Sequence, residues 1–366
     1  MRKICFYASL AALALASCDK DDDTPTDISQ QEPAFYAYVL GEGNFNKNDA
    51  SLTGIYRKDF STEKDLYFKA NGRALGDVGN DLIYDAGNGV MYVAVSNSEY
   101  VAKLDQNGVE LARFSTKDNE ELTSPRSLAV DASNLYVSTY GGHAACLDKK
   151  TLELKGMVET GSYSEEMAII GNNLAVCNSG NMFGKTVNII DTRTFSVART
   201  VELPALNPQN IIAQGDYFYA NTTEYGEDWS TSSTIVQIDP KTGTAKTVCD
   251  DGFLMAPMTD GKVLIVSSQT DWNTYQSVNE FKTYDPAANT LKAFALDADA
   301  AAKLTNASIY SLEADPNNGD IYVLCNNTDA SFQATGSSLY VLSGNTITHE
   351  IADTGCLYAS SVAFAR

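Results

Sequence analysis

Few residues in this chain could carry covalent or acid–base chemistry. It holds two histidines, His143 and His349, and neither has partners at metal-ligand spacing. No Ser/His/Asp or Cys/His set can be assembled from so few imidazoles. His143 falls in a loop and reads as a polar loop residue, with a contact to ligand or metal as the sharper alternative; His349 falls on a late strand and reads as exposed and inert. Cys146, Cys177, Cys249, Cys325 and Cys356 form no CxxC pair, and runs such as Leu174-Ala175-Val176-Cys177 make them buried thiols. A disulfide between two of them is the alternative. Glu165 and Glu166 could form a carboxylate pair, although sequence neighbours usually point apart. Gly41-Glu42-Gly43-Asn44-Phe45 is followed by no helix pattern and is not a nucleotide fingerprint. These residues argue for binding rather than catalysis, with no cofactor or metal expected.

Residues suited to non-covalent recognition are abundant. Phe45, Tyr100, Tyr140, Phe183, Tyr225, Trp229, Trp272, Tyr275 and Phe332 fall in segments that read as loops, roughly 41–51, 96–100, 139–143, 178–186, 221–233, 267–279 and 325–337. Asparagines surround them, among them Asn44, Asn178, Asn221, Asn273 and Asn326. Flat apolar rings flanked by amides suit a large neutral ligand rich in amide or hydroxyl groups. The bland alternative is that some rings pack beneath their own loops. A second set, Asn80, Arg126, Glu165, Glu166, Gln209, Asn210, Pro257, Tyr310 and Tyr358, falls just before the apolar segments that open each repeat. From both sets the candidate ligand-binding residues are Asn44, Phe45, Tyr100, Arg126, Tyr140, Phe183, Asn210, Tyr225, Trp229, Trp272, Tyr275, Phe332 and Tyr358. The formal net charge of −21 makes nucleic acid an unfavourable partner.

The elements that must position these residues come from a repeat. Ser127-Leu128-Ala129-Val130-Asp131, a turn at Ser133-Asn134, Leu135-Tyr136-Val137-Ser138 and Ala145-Cys146-Leu147-Asp148 form its clearest copy. The unit recurs with strand ends at 105, 148, 191, 239, 285 and 343, the spacing of four-stranded propeller blades. Asp at most of these ends suits the start of a polar turn, because its carboxylate accepts from the backbone ahead. Residues 35–40 read as a strand lacking its inner partner, and Ser361-Val362-Ala363-Phe364 as an inner strand lacking its successors. Joining them completes one more blade and removes an exposed edge. The expected fold is an all-β, seven-bladed β-propeller over residues 34–366, closed by pairing of the N- and C-terminal strands. Eight blades is the next count. A short helix is expected within 296–305.

The N-terminus reads as an export signal: Arg2 and Lys3, then the apolar run Ile4 to Ala16, too short to span a membrane as a helix. It ends in Leu15-Ala16-Ser17-Cys18, which resembles a bacterial lipobox, so residues 1–17 are the expected lipoprotein signal peptide and Cys18 the acylated residue. Asp19-Lys20-Asp21-Asp22-Asp23 resembles the acidic surface-export signal of Bacteroidetes lipoproteins. Residues 18–33 are then a lipid-anchored, flexible acidic linker on the outer membrane, facing outward. A solvated linker on a periplasm-facing anchor is the alternative.

The repeat, with Val39-Leu40-Gly41-Glu42-Gly43-Asn44-Phe45 and Asn48-Asp49-Ala50-Ser51-Leu52, resembles the YncE-like propellers of Bacteroidetes lipoproteins. That family commonly carries Asn-Glu-Gly-Asn-Phe at the first segment, and Gly41 stands here in place of the Asn. The resemblance spans the whole mature chain. It implies capture of cobalamin (vitamin B12) and other corrinoids at the cell surface, and transfer to a BtuB-type TonB-dependent outer-membrane transporter. Two other classes stay open: a surface propeller binding glycans or proteins, for which Trp229 and Trp272 would serve equally, and a lactonase-like propeller enzyme, disfavoured by the missing proton-transfer centre.

Overall fold

Every blade of this protein has two apolar faces, and that fact dictates its architecture. In the strand Val90–Val95 all six side chains are buried. Side chains alternate between the two faces of a strand, so Met91, Val93 and Val95 pack toward one neighbouring sheet and Val90, Tyr92 and Ala94 toward the other. Such a sheet needs apolar cover on both sides. The computed structural model, which describes residues 34–227, 230–271, 276–329 and 333–365, supplies it with a ring of seven four-stranded antiparallel sheets.

Blade 1 takes its inner strand, Ala359–Phe364, from the C-terminus and its other strands, Phe35–Gly41, Ser51–Tyr56 and Thr62–Glu63, from the N-terminus. The splice runs through Ala37–Phe364, Val39–Val362 and Gly41–Ala359. Blades 2 to 7 begin with the inner strands Gly79–Asp85, Pro125–Val130, Ser164–Ile170, Pro208–Gln214, Leu254–Pro257 and Ile309–Ala314. Each inner strand contacts the next around the ring, and that of blade 7 returns to blade 1. Seven apolar clusters fill the seven interfaces between consecutive blades. The seven-blade reading and the terminal closure both hold.

The turns form for the expected reason. Asp148 Oδ1 accepts from the amides of Lys150 at 2.9 Å and Thr151 at 3.2 Å, and Asp239 and Asp285 repeat the arrangement. The short helix is Ala298–Leu304, capped by Asp297 through the Ala300 amide. A second short helix, Leu66–Asn71, was not expected from the sequence. His143 opens a strand rather than lying in a loop, and His349 is exposed and stacks on Phe60 with ring centroids 4.0 Å apart. The five internal cysteines are buried and free. They occupy five different inter-blade layers, which excludes a disulfide between any two of them.

Polar contacts also lock the blades. Lys149 Nζ lies 3.0 Å from Asp85 Oδ2 across the interface of blades 2 and 3, with side-chain exposures of 8% and 6%. The same ammonium donates to Asp131 O at 3.0 Å, and Tyr92 Oη donates to Lys149 O at 2.5 Å. Removing one member of a buried pair strands the other charge. Lys149→Ala is therefore expected to cost about 3 kcal/mol, read as a lower denaturant midpoint; an unchanged midpoint would show that the pair holds nothing.

Candidate functional site

The inner strands share one irregularity near their starts. In six of the seven, an extra residue bulges out of the ladder, within 79–81, 125–128, 164–167, 208–211, 309–311 and 359–361. A bulge re-aims side chains that regular pleating would bury. Asn80, Arg126, Glu166, Gln209, Asn210, Tyr310 and Ser360 come from these segments, and all line an axial cavity of about 470 Å³. Of the adjacent Glu165 and Glu166 in the bulge within 164–167, the first bonds Arg126 of blade 3 and the second turns to Asn210 and Ile211 of blade 5.

Three of the bulges link consecutive blades from blade 2 to blade 5. Asp81 Oδ2 of blade 2 accepts from the Leu128 amide of blade 3 at 2.7 Å, and Ser127 Oγ of blade 3 accepts from the Met167 amide of blade 4 at 3.3 Å. Glu166 Oε2 of blade 4 accepts from the Ile211 amide of blade 5 at 3.2 Å. Each of these amides directly follows a bulge, and a side chain from the preceding blade satisfies it.

At the mouth, Arg126 is the one cation among the described residues that line the cavity. Its Nε lies 3.0 Å from Glu165 Oε2, which also accepts from Tyr140 Oη at 3.4 Å, while Glu165 Oε1 accepts from Ser179 Oγ at 2.9 Å. Tyr310 Oη donates to Glu42 Oε2 at 3.0 Å, and Asn210 Nδ2 to Glu166 Oε1 at 2.8 Å. Burial works against the Arg126 charge, yet Tyr140, Glu165, Glu166 and Glu42 outweigh it and hold the guanidinium well above its ordinary pKa. Burial pushes Glu42 up against the pull of Arg126. It carries Tyr140 to about 12 and Glu166 to about 7, with Asp81 adding to the rise of Glu166. Deeper in the cavity, burial and then Glu166 and Asp81 raise Glu313 well above the usual carboxylate range.

Around this mouth the face is uneven. In blades 2 to 4 the second and third strands have six residues each, such as Asn134–Thr139 and His143–Asp148. In blades 5, 6 and 7 they lengthen to Tyr217–Tyr225 with Thr231–Ile238, Val263–Asp271 with Gln276–Asp285, and Ile321–Thr328 with Ala334–Ser343. Most of the residues read from sequence as loops at 221–233, 267–279 and 325–337 thus belong to hairpins that continue the ladders. Cross-strand polar pairs support them: Thr222 Oγ1 with Thr234 Oγ1 at 2.7 Å, and Thr223 Oγ1 with Ser233 Oγ at 3.1 Å. Segments 221–234, 267–280 and 326–338 contain no Lys or Arg.

The candidate residues divide accordingly. Arg126, Tyr140, Asn210 and Tyr358 gather at the mouth, where Tyr358 pairs with Tyr310 at a centroid distance of 6.1 Å. Phe45 and Phe183 are 68% and 77% exposed on second-to-third-strand loops, and Tyr225 is exposed at the end of its strand. Asn44 is half-buried and serves its own loop through Asp49. Tyr100 is corrected: it starts a strand, is buried, donates to Leu75 O and lies under the Arg113 guanidinium. Pro257 ends its inner strand, away from the mouth. Trp229, Trp272, Tyr275, Phe332 and Cys18 lie outside the described residues. Sequence reasoning missed Asp81, Glu313 and the exposed Tyr163, which packs on Tyr140 at 5.1 Å. Asp81 had a signal, since it matches Ser127 and Glu166 in the interlock.

No protein-family model matches the chain, and no curated protein matches it. Solved structures do. The chain is similar to hydrazine synthase of Kuenenia stuttgartiensis, at 15% identity and a TM-score of 0.58 over 73% of this chain and 76% of that one. It is also similar to the WD40 β-propeller domain of Doa1, at 11% identity and 0.54 over 80% and 90%. A chain of the mitotic checkpoint complex aligns at 11% identity and 0.56 over 86% and 95%. At these identities the likeness is one of fold alone.

The Glu166 shift has a measurable consequence. Its folded-state pKa, about 7, lies above the ordinary 4.5. Its contribution to stability is then fully present below about 4.5 and lost as pH rises through about 7. Glu166→Gln lacks this titration. The native chain's stability relative to that variant is expected to fall by about 2 kcal/mol between pH 4 and pH 8, channel water included. Denaturant midpoints of both proteins across that range test it; a constant difference would contradict the shift.

Proposed function

We propose that this chain is a surface lipoprotein of the BtuG type, which captures cobalamin and other corrinoids and passes them to a BtuB-type TonB-dependent transporter in the outer membrane. Its role is binding, not catalysis. One observation carries the reading. Of the five exposed aromatics among the described residues, four, Phe45, Tyr163, Phe183 and Tyr225, lie at the ends of strands or on loops of the face that surrounds the mouth; the fifth, Phe68, lies on the helix Leu66–Asn71. An isolated exposed ring needs no explanation, but rings gathered on one face mark a recognition surface.

The chemistry of the face supports a corrinoid. Cobalamin offers broad apolar faces fringed with amides. Exposed rings can stack on those faces, and Arg126, Asn210 and the hydroxyls and amides of the extended hairpins can meet the fringe. The YncE-like opening segment adds its own support, because Glu42, Gly43, Asn44 and Phe45 build one edge of this face. The lipobox at Cys18 and the acidic residues after it support anchorage at the cell surface.

Calorimetric titration of residues 19–366 with cyanocobalamin tests the reading. Saturable binding at micromolar protein is expected, and its absence removes the corrinoid. A glycan panel run in parallel identifies a sugar-binding propeller if cobalamin fails. Phe183→Ala should weaken cobalamin binding about tenfold, roughly 1.4 kcal/mol, with the melting temperature unchanged. A large fall in melting temperature would instead assign Phe183 to packing.

A further inference from the structure

The loop that carries Phe45 is held far more tightly than a turn requires. At its entry, the Glu42 and Gly43 amides donate to Tyr358 O and Leu357 O, both at 3.1 Å. Gly43 has φ 76°, and a Cβ there would meet Asp49 Oδ1 at 2.4 Å, so this position accepts only glycine. On one side of Phe45, Asp49 grips Asn44 twice, accepting from its amide at 2.7 Å and from Nδ2 at 2.9 Å.

On the other side the grip comes from the neighbouring blade. Asp77, on the connection leading into blade 2, accepts from the Asn46 amide at 3.0 Å through Oδ1. Its Oδ2 accepts at 2.5 Å from Asn97 Nδ2, on the second-to-third-strand loop of blade 2, and that amide group also reaches Asn46 Oδ1 at 3.2 Å. Asp77 is itself fixed, its amide donating to Ser98 Oγ at 2.9 Å. The residues before and after Phe45 are thus bonded to two carboxylates, while the phenyl ring between them stands 68% exposed. These bonds lie at the surface and cover no core. They fix where an exposed ring stands, and that ordering benefits a contact made only on binding.

We propose that Phe45 is a preset contact for the ligand of this face, and that Asp77 is the positioning residue holding it from the adjacent blade. This rests on the face being the binding surface. Asp77 acts through Asn46 and touches no ligand itself. Without it the loop still closes, because the Glu42, Gly43 and Asp49 bonds remain, but Phe45 samples other positions and each binding event must order it again.

The test is a double-mutant cycle in the soluble chain, with native, Phe45→Ala, Asp77→Ala and the double variant titrated with cyanocobalamin. Phe45→Ala should weaken binding about tenfold and Asp77→Ala about three- to tenfold, with melting temperatures unchanged. The double variant should bind no worse than Phe45→Ala, because Asp77 acts only through that ring; additive losses overturn the proposal. Amide hydrogen exchange judges the positioning without any ligand. The Asn46 amide should be protected in the native chain and exposed in Asp77→Ala, with blade amides unaltered. A fast-exchanging native Asn46 amide overturns the proposal whatever the titration shows. Failure of the native chain to bind cyanocobalamin, with Asn46 protected, ends the corrinoid reading and leaves the held loop standing.

Discussion

A blade of this protein has no solvent-tolerant face, and its ring exists to resolve that. Val90–Val95 buries side chains toward blade 1 and blade 3 alike, and every other blade is sandwiched in the same way. An open row of such sheets would leave two apolar faces in water, at about 25 cal/mol per Å². Splicing Ala359–Phe364 onto Phe35–Gly41 turns the row into a circle with no terminal face. The mouth, the cavity and the rim loops are consequences, since closure alone brings Glu42, Arg126, Glu166 and Tyr310 to one opening.

Closure also sets the mouth chemistry. Inner strands converging on an axis crowd at their starts, and the bulges there turn polar side chains inward. In blades 3, 4 and 5 the amide after the bulge takes its partner from the preceding blade, and Asp81, Ser127 and Glu166 supply it. Residues that look functional therefore carry structure as well. Arg126 is different in kind: its guanidinium binds Glu165 and satisfies no backbone group of the next strand.

What the sequence made legible follows from where the physics is local. The third-strand Asp residues and the apolar alternation act within a few positions, so blade count and terminal closure were readable. Sequence neighbours point apart, and Glu165 and Glu166 do: the first bonds Arg126 and Ser179, the second Asn210 and the Ile211 amide of the next blade, although the charge of each still acts on Arg126. Tyr100 was misplaced by one residue of boundary, enough to move a ring from loop to buried strand. The hairpins of blades 5 to 7 read as loops because Ser, Thr and Asn there resemble turn composition; as strands, those residues form cross-strand polar pairs. The short helix Leu66–Asn71 is held by tertiary packing of Leu66 and Tyr67 rather than by length.

Seven blades of equal height would present an arriving molecule with seven indistinguishable orientations about the axis. Lengthening three consecutive hairpins abolishes that degeneracy. The opening acquires a raised crescent, whose segments 221–234, 267–280 and 326–338 hold no basic residue, facing a low arc from which Phe45 and Phe183 project. An asymmetric molecule can then settle in one azimuth only. A pseudo-symmetric scaffold has in this way been given a compass direction without changing its blade count.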